Sequence, residues 1–284
     1  MIIEKEPTSH KILEVATKAA IRGGRIIKQF WGDLESSDVH EKSSWRDMVT
    51  VADKKSEETV IKTIRSHFKN HAIISEEGGG LVDEANNTYK WAIDPLDGTT
   101  NFRHSYPFFC VSIGILVNDI PTVGVVYNPI QDELFTAIKG EGAYLNGRRI
   151  SVSKVNSLRE SLLVTGFAYS SNKDQEQSMN LFKLLNFSTH GVRRDGAAAL
   201  DLCYVAAGRL DAFWEYGLHI WDIAAGAVIV EEAGGSIIQP DNGKVDLYKG
   251  DILACTNGIK DELLGKISES YSNIQAQAPI LTAG

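Results

Sequence analysis

Trp91-Ala92-Ile93-Asp94-Pro95-Leu96-Asp97-Gly98-Thr99-Thr100-Asn101-Phe102 is the stretch around which the rest of the chain is read. It begins as a short apolar strand that ends at a carboxylate, and Pro95, with no N–H to give a ladder, predicts that the strand stops there. Asp97 stands three residues beyond Asp94, so both carboxylates can converge on one cation. Gly98 permits a tight turn. Thr99 and Thr100 then open a helix-like turn whose free N–H groups make an anion seat. Two hard oxygen ligands beside such a seat describe a magnesium-dependent phosphoryl site. Taken singly, each residue also has a plain structural reading, since Asp-Pro and Asp-Gly pairs make ordinary turns and Asp97 can cap a helix.

Outward from this stretch, short apolar runs keep delivering acids. Ala72 to Ser75 reads as a buried strand with Glu76 and Glu77 at its end. Thr50-Val51-Ala52-Asp53 opens a helix running to about Phe68, with Asp53 in its first turn, where a carboxylate also favours the helix dipole. Ala212-Phe213-Trp214 is a strand ending at Glu215, and Trp221 to Val230 is a helix with Asp222 in its first turn and Gly234-Gly235 behind it. In α/β sheets, sites gather where strands end. No histidine pair or cysteine cluster competes as a ligand set, which favours Mg²⁺ over zinc.

The remaining segments give the frame. Thr8 and Ser9 cap a helix to about Phe30, within which Gly23-Gly24 lets another helix approach closely. Lys42 to Asp47 is a hairpin or a mobile loop, and Gly78 to Gly80 with Val82 to Thr88 is a surface loop. Phe108 to Leu116, Thr122 to Tyr127, Glu133 to Ile138 and Gly142 to Val152 read as antiparallel strands, with turns at Asn118-Asp119 and Asn146-Gly147. Ser161 to Gly166 and Thr189 to Arg194 are strands flanking a helix at Gln177 to Leu185. A strong helix follows over Ala197 to Ala207. Ser236 to Ile238 and Ile252 to Thr256 are the last strands, a closing helix runs to about Glu269, and the last dozen residues fray.

Composition narrows the partners. The chain has 284 residues, 43% hydrophobic and 23% charged, with a formal net charge of −8. That is an ordinary globular balance, and the negative charge argues against an electrostatically bound nucleic acid. A phosphate substrate is also an anion, and bound divalent cations resolve that conflict by inverting the local charge. Cys110, Cys203 and Cys255 lie in apolar runs without CxxC spacing and read as buried reduced thiols. With no signal-like leader and no apolar run long enough to span a membrane, the expectation is a cytoplasmic protein.

These motifs resemble the inositol monophosphatase family, within the lithium-sensitive, magnesium-dependent phosphatases. The run from Trp91 to Phe102, Trp221-Asp222-Ile223-Ala224-Ala225-Gly226 leading into Glu231-Glu232-Ala233-Gly234-Gly235, Thr50 to Asp53, and Ser75-Glu76-Glu77 carry the likeness, which extends from the first helix to about Ile267. The resemblance implies an α/β (α+β type) fold layered α-β-α-β-α, as in the sugar phosphatases. One domain over 1–284 is expected, with possible halves 1–152 and 153–270 and a tail at 271–284.

It also implies roles. Glu76, Asp94 and the Leu96 carbonyl match ligands of a first metal, and Asp94, Asp97 and Asp222 those of a second. Glu76 reaches a third through water, giving two to three Mg²⁺. Thr99 and Asp53 match the pair that activates the attacking water, with Glu76 also catalytic. The N–H groups of Gly98, Thr99 and Thr100 hold phosphate. Glu215 and the backbone near Ala198 meet the alcohol part, assisted by Asp97, and Lys42 matches a lysine of a mobile loop.

The implied reaction is hydrolysis of inositol monophosphate by direct in-line attack of water. Relatives acting on fructose 1,6-bisphosphate, histidinol phosphate, NADP or adenosine 3′,5′-bisphosphate share the metal residues, so those residues do not choose among substrates. Glu215 favours a polyol, whose hydroxyls a carboxylate can bind. Asp195 departs from the family's uncharged residue: it attracts a hydroxyl-rich sugar, repels a second phosphate, or is an ordinary turn acid. A homodimer without membrane or nucleic-acid partners is implied. The alternative of another class is an interaction protein that retains the fold.

Overall fold

The computed structural model describes residues 7–33, 38–44, 47–78, 87–167 and 173–277. Helix α1 (Ser9–Phe30) begins where Thr8 Oγ1 accepts a hydrogen bond from the Lys11 N–H at 3.2 Å, satisfying one orphan donor of the first turn. Strands β1 (Val39–Ser44) and β2 (Asp47–Thr50) pair antiparallel, so the Lys42 segment is a hairpin; Trp45 and Arg46 lie outside the described residues. Helix α2 (Val51–Arg65) packs on α1 through Gly23, where a Cβ would stand 2.8 Å from Ser56 Oγ and from Val60 Cγ2.

A seven-stranded sheet follows. β3 (Ala72–Ser75) runs parallel to β4 (Tyr89–Asp97). Beyond β4, strands β5 (Cys110–Val117), β6 (Ile120–Asn128), β7 (Glu133–Ile138), β8 (Gly142–Leu145) and β9 (Arg148–Arg149) form an antiparallel meander in chain order. Asn118 and Asp119, and likewise Asn146 and Gly147, have positive φ, the signature of tight hairpin turns.

The second sheet has the order β11-β10-β12-β14-β13, where β10 is Leu162–Thr165, β11 Gly191–Arg193, β12 Ala212–Glu215, β13 Ser236–Ile238 and β14 Ile252–Cys255. Its first three strands are parallel and β14 is antiparallel to both neighbours.

Three apolar clusters order the layers. One joins α1 and α2 to the outer face of the seven-stranded sheet. The central one holds α5 (Ala198–Ala206) and α6 (Ile220–Glu232) between the two sheets. The third packs α4 (Lys173–Asn186) and α7 (Lys260–Gln277) on the far face of the five-stranded sheet. The result is the α-β-α-β-α order. Helix α6 is apolar all round from Ile223 to Val230, and that stretch is buried on every side. It presses onto the sheet at two glycines: a Cβ on Gly114 would lie 2.6 Å from Ala224 Cβ, and one on Gly124 would lie 2.4 Å from the Ala225 oxygen. Among the described residues, no helix is long and apolar enough to cross a membrane.

Two expectations are corrected. β4 does not stop at Asp94; it continues through Pro95 to Asp97. Asp94 faces Ser112 and Asp97 faces Cys110, so β4 has one extra residue there, a bulge in which the missing proline N–H needs no ladder partner. The Pro95 carbonyl is instead bonded by Ser56 Oγ at 2.9 Å. The closing helix passes Glu269 and reaches Gln277, because Leu263 and Ile267 anchor it against the second sheet; part of the expected frayed tail is therefore helical. Residues 79–86 of the expected surface loop and 278–284 of the tail lie outside the described residues.

Candidate active site

The β4 bulge aims the two aspartates. Within it, the Leu96 N–H bonds Asp94 Oδ1 at 2.9 Å, folding that side chain back over the turn. Gly98 then reverses the chain at φ +91°, and a Cβ there would press 3.0 Å from the Phe108 oxygen, so glycine is required twice over. The short helix α3 (Thr99–Arg103) starts immediately, leaving the first N–H groups without intrahelical partners.

Behind α3 stands Asp53, fully buried in the first turn of α2. Its Oδ2 accepts from the Thr50 N–H at 2.8 Å and from Thr50 Oγ1 at 2.5 Å, while its Oδ1 faces Thr99 Oγ1 at 2.9 Å. Thr99 Oγ1 also lies 3.1 Å from the Leu96 oxygen, so one hydroxyl hydrogen has two acceptors within reach. Burial pushes the Asp53 carboxyl up to about 6, against the pull of the Thr50 and Thr99 bonds.

Glu76 follows β3, its N–H bonded to the Ile93 oxygen at 3.2 Å, so the ends of β3 and β4 are locked together. Lys42 Nζ reaches Glu76 Oε1 at 2.8 Å and also bonds Glu77 Oε1. Asp222 is placed by the glycine contacts under α6 and by Ser112 Oγ, which donates to the Trp221 oxygen at 3.1 Å from the strand position facing Asp94. Its Oδ2 caps α6 by accepting the His219 N–H at 2.7 Å. Asp97 ties in the second sheet's side: its Oδ2 accepts the Ala199 N–H at 2.8 Å, at the start of α5. Glu215 ends β12 and lies against Gly166, where any Cβ would stand 2.0–2.2 Å from its carboxylate.

These groups share one cavity of about 410 Å³. Glu76, Asp94, Leu96, Asp97 and Asp222 line it, as do Gly98, Thr99 and Thr100 of the turn. Ala198, Glu215 and Lys42 line it as well. Asp53 does not; Thr99 stands between it and the cavity. Asp195 does not line it either. Its backbone oxygen is held by Asn101 Nδ2 at 2.8 Å, and its two neighbours, Arg194 and Gly196, face the cavity instead, so of the three readings of Asp195 the geometry favours the ordinary turn acid.

The electrostatics are those of crowded, buried negative charge. Asp94 is held well above the usual carboxylate range by burial, then by Glu76, Asp97 and Asp222. Burial and then Asp222 push Asp97 up to about 7. Burial takes Glu76 up to about 7 against the pull of Lys42. Glu215 is pushed up to about 8 by burial, so in the free protein it is a hydrogen-bond donor as well as an acceptor at neutral pH.

Among the described residues, no three such groups already converge as a coordination sphere. Each carboxylate commits one oxygen to the protein: Asp94 to Leu96, Asp97 to Ala199, Asp222 to His219, Glu76 to Lys42. The second oxygen of each is not engaged by a described residue. Four hard carboxylate donors gathered on one cavity suit divalent cations, and the Lys42 ammonium already brings positive charge to Glu76.

A model of the inositol monophosphatase family matches residues 8–273. The chain belongs to the inositol monophosphatase family. Among inositol monophosphatase relatives, an inositol-1-monophosphatase from Synechocystis sp. is 50% identical over 251 residues, covering 88% of this chain and 86% of that protein. The Nus factor SuhB of Pseudomonas aeruginosa is 44% identical over 246 residues, 86% of this chain and 90% of that one. The solved inositol monophosphatase from Anabaena (Nostoc) sp. matches with a TM-score of 0.83 at 44% identity, covering 92% of this chain and 96% of its own. The layered α/β architecture is thus the inositol monophosphatase fold.

Sequence reasoning passed over several groups of this inositol monophosphatase site. Arg194 was visible only as part of an Arg-Arg-Asp-Gly run. Asn101, which joins α3 to the Asp195 turn and to the Phe108 oxygen, was hidden inside the motif. His219, stacked on Trp221 with ring centroids 4.6 Å apart on the cavity wall, carried no sequence signal, and Trp221 was read only as the first residue of the Asp222 motif.

Proposed function

We propose that the protein is a Mg²⁺-dependent phosphomonoesterase that hydrolyses inositol monophosphate and similar polyol phosphates. The observation that carries this reading is the Thr99–Asp53 pair, a hydroxyl on the cavity wall hydrogen-bonded to a buried acid, set beside four carboxylates in one cavity. Glu76, Asp94, Asp97, Asp222 and the Leu96 oxygen would hold two to three Mg²⁺. When bound, the metal supplies positive charge for the phosphate dianion and acidifies the attacking water.

The chain's own groups do the rest. The N–H groups of Gly98, Thr99 and Thr100 orient the phosphate oxygens. Thr99 passes the proton of the attacking water toward Asp53, whose raised pKa makes it an apt acceptor near neutral pH. Glu215 and the Ala198 backbone hold hydroxyls of the alcohol. Water attacks in line, without a covalent phospho-enzyme. We further read the chain as one domain over 1–284 with halves meeting near 152–160, as a homodimer inhibited by lithium, and, from its free buried cysteines, as cytoplasmic.

The test is a panel of inositol 1-phosphate, fructose 1,6-bisphosphate, histidinol phosphate, NADP and adenosine 3′,5′-bisphosphate. The reading requires the highest kcat/KM for inositol 1-phosphate. Preference for another member keeps the chemistry and rejects the substrate. The Nus-factor relative favours a second reading, an interaction role alongside or instead of catalysis. A pull-down with Asp94→Asn protein separates the two, because an interaction role survives that change while turnover does not.

A further inference from the structure

Ser56 reaches across the fold to the back of the β4 bulge. It lies in α2 three residues after Asp53, and therefore on the same face of the helix. A hydroxyl inside a helix can bond the carbonyl one turn back, and Thr63 of this helix does so, with Oγ1 2.8 Å from the Thr59 oxygen. Ser56 donates instead to the Pro95 oxygen at 2.9 Å, thirty-nine residues along the chain. Ser56 and Leu96 are wholly buried, and Asp94 nearly so. Gly23 of α1 leaves the hydroxyl its place, since a Cβ there would stand 2.8 Å from Ser56 Oγ.

The accepting carbonyl belongs to a peptide that is engaged at both ends. Asp94 faces Ser112 and Asp97 faces Cys110, so Pro95 and Leu96 share the single position of Val111 and the ladder is interrupted there. The Pro95–Leu96 peptide is held by other means. Its oxygen accepts from Ser56 Oγ, and its N–H donates to Asp94 Oδ1, each at 2.9 Å. The run from Ser56 through this peptide to Asp94 is one chain of hydrogen bonds carried by a rigid plane, in which each bond polarises the next. Turning that plane turns the Asp94 carboxylate with it and shifts the Leu96 carbonyl that follows. Helix α2 thus grips the turn twice, Asp53 through Thr99 and Ser56 through Pro95.

We propose that Ser56 is a positioning residue of the metal site, whose hydroxyl fixes the Pro95–Leu96 peptide and through it aims the Asp94 carboxylate and the Leu96 oxygen at the divalent cations. This rests on the phosphatase reading above, and adds to it a residue that touches neither metal nor substrate. Loss of the hydroxyl leaves a buried carbonyl unsatisfied and its peptide free to turn.

The experiment is calorimetric titration of Mg²⁺ into metal-stripped wild type, Ser56→Ala, Ser56→Cys and Val60→Ala, followed by steady-state kinetics on inositol 1-phosphate. Val60 is the control. It lies one turn further along α2 and packs against the same Gly23 with an apolar side chain, so its truncation loosens α2 without removing a bond to the bulge. Removing a group that supports a metal ligand changes metal affinity about 10- to 100-fold. Ser56→Ala should weaken Mg²⁺ binding by about tenfold or more. The Mg²⁺ concentration for half-maximal activity should rise by the same factor, with KM for inositol 1-phosphate at saturating Mg²⁺ little altered. Ser56→Cys, whose thiol is a weaker donor, should fall between Ser56→Ala and wild type. Val60→Ala should lower Tm yet bind Mg²⁺ within about twofold of wild type. Thermal melts check that each variant is folded, and if Ser56→Ala is not, Ser56→Cys carries the same comparison against Val60→Ala. Serine variants that bind Mg²⁺ as tightly as wild type, or no more weakly than Val60→Ala, overturn the assignment, since Ser56 would then only satisfy the core. A wild type that binds no Mg²⁺ rejects the phosphatase reading itself, and the assignment with it.

Discussion

Asp53→Asn separates the cost of the site from its chemistry. In the native chain, Asp53 is fully buried and its carboxyl rises to about 6 from an ordinary 3.8. The protonated form's stability is complete below the ordinary value and is lost as pH rises through 6, so at pH 7.5 the ionised carboxyl costs about 3 kcal/mol of folding free energy. Asparagine avoids that cost and still fits. Its oxygen can accept the Thr50 N–H and hydroxyl, and its amide can donate to Thr99 Oγ1, whose hydrogen then turns to the Leu96 oxygen 3.1 Å away. The hydrogen-bond direction at Thr99 is thereby reversed, and the proton acceptor is gone.

The variant should gain about 1–3 kcal/mol at pH 7.5, or about 2–5 °C in Tm, while phosphate release falls about 10²- to 10⁴-fold. At pH 4 the stability gap should nearly close. Thermal unfolding in a chelating buffer at both pH values, with phosphate release at pH 7.5, makes the check. A variant less stable than wild type at pH 7.5, or one that keeps more than a tenth of the activity, refutes the reasoning.

Three further outcomes are expected. Gly114→Ala would drive a methyl against Ala224 and the Ala225 nitrogen, 2.6 and 2.7 Å away, and should cost about 1–3 kcal/mol in denaturant melts. It should also depress kcat, because α6 carries Asp222. His71 is stacked between Phe68 and Tyr89, accepts from Trp91 Nε1 at 3.0 Å, and is pushed down to about 4, chiefly by burial and then by Arg65. Its contribution is complete above pH 6.5 and is lost as pH falls toward 4, about 1–2 kcal/mol once solvent screening of a half-buried ring is allowed for; a His71→Phe protein should show a shallower fall in Tm across that window. Hydrolysis of a substrate chiral at phosphorus should invert its configuration, and retention would require a covalent intermediate that the mechanism lacks.

The acids of the site were legible because each follows a short apolar run or opens a helix, and such local devices are written in consecutive residues. Glu76, Asp94 and Asp222 belong to that class. The path of β4 through Pro95 was not legible, because a proline is tolerated there only by virtue of a bulge against β5, which is a property of two strands. The sequence left the role of Asp195 open among three readings and gave Arg194 none, for a related reason. Which of two neighbours faces the cavity is decided by the left-handed turn at Gly196 and by Asn101, about ninety residues earlier in the chain. The length of α7 was missed because its polar sequence is weakly periodic, and the packing of Leu263 and Ile267 on the second sheet sustains it. The resemblance supplied the layered fold, whereas composition alone indicated only a mixed α/β chain.

The central claim is that this cavity hydrolyses phosphate monoesters with Mg²⁺. It is tested most directly by stripping the protein of metal and following phosphate release from inositol 1-phosphate before and after Mg²⁺ is added back. The account predicts negligible release without metal and full turnover on its return, with none restored in Asp94→Asn protein. Release that is indifferent to Mg²⁺, or no release from wild type that demonstrably binds it, would contradict the account.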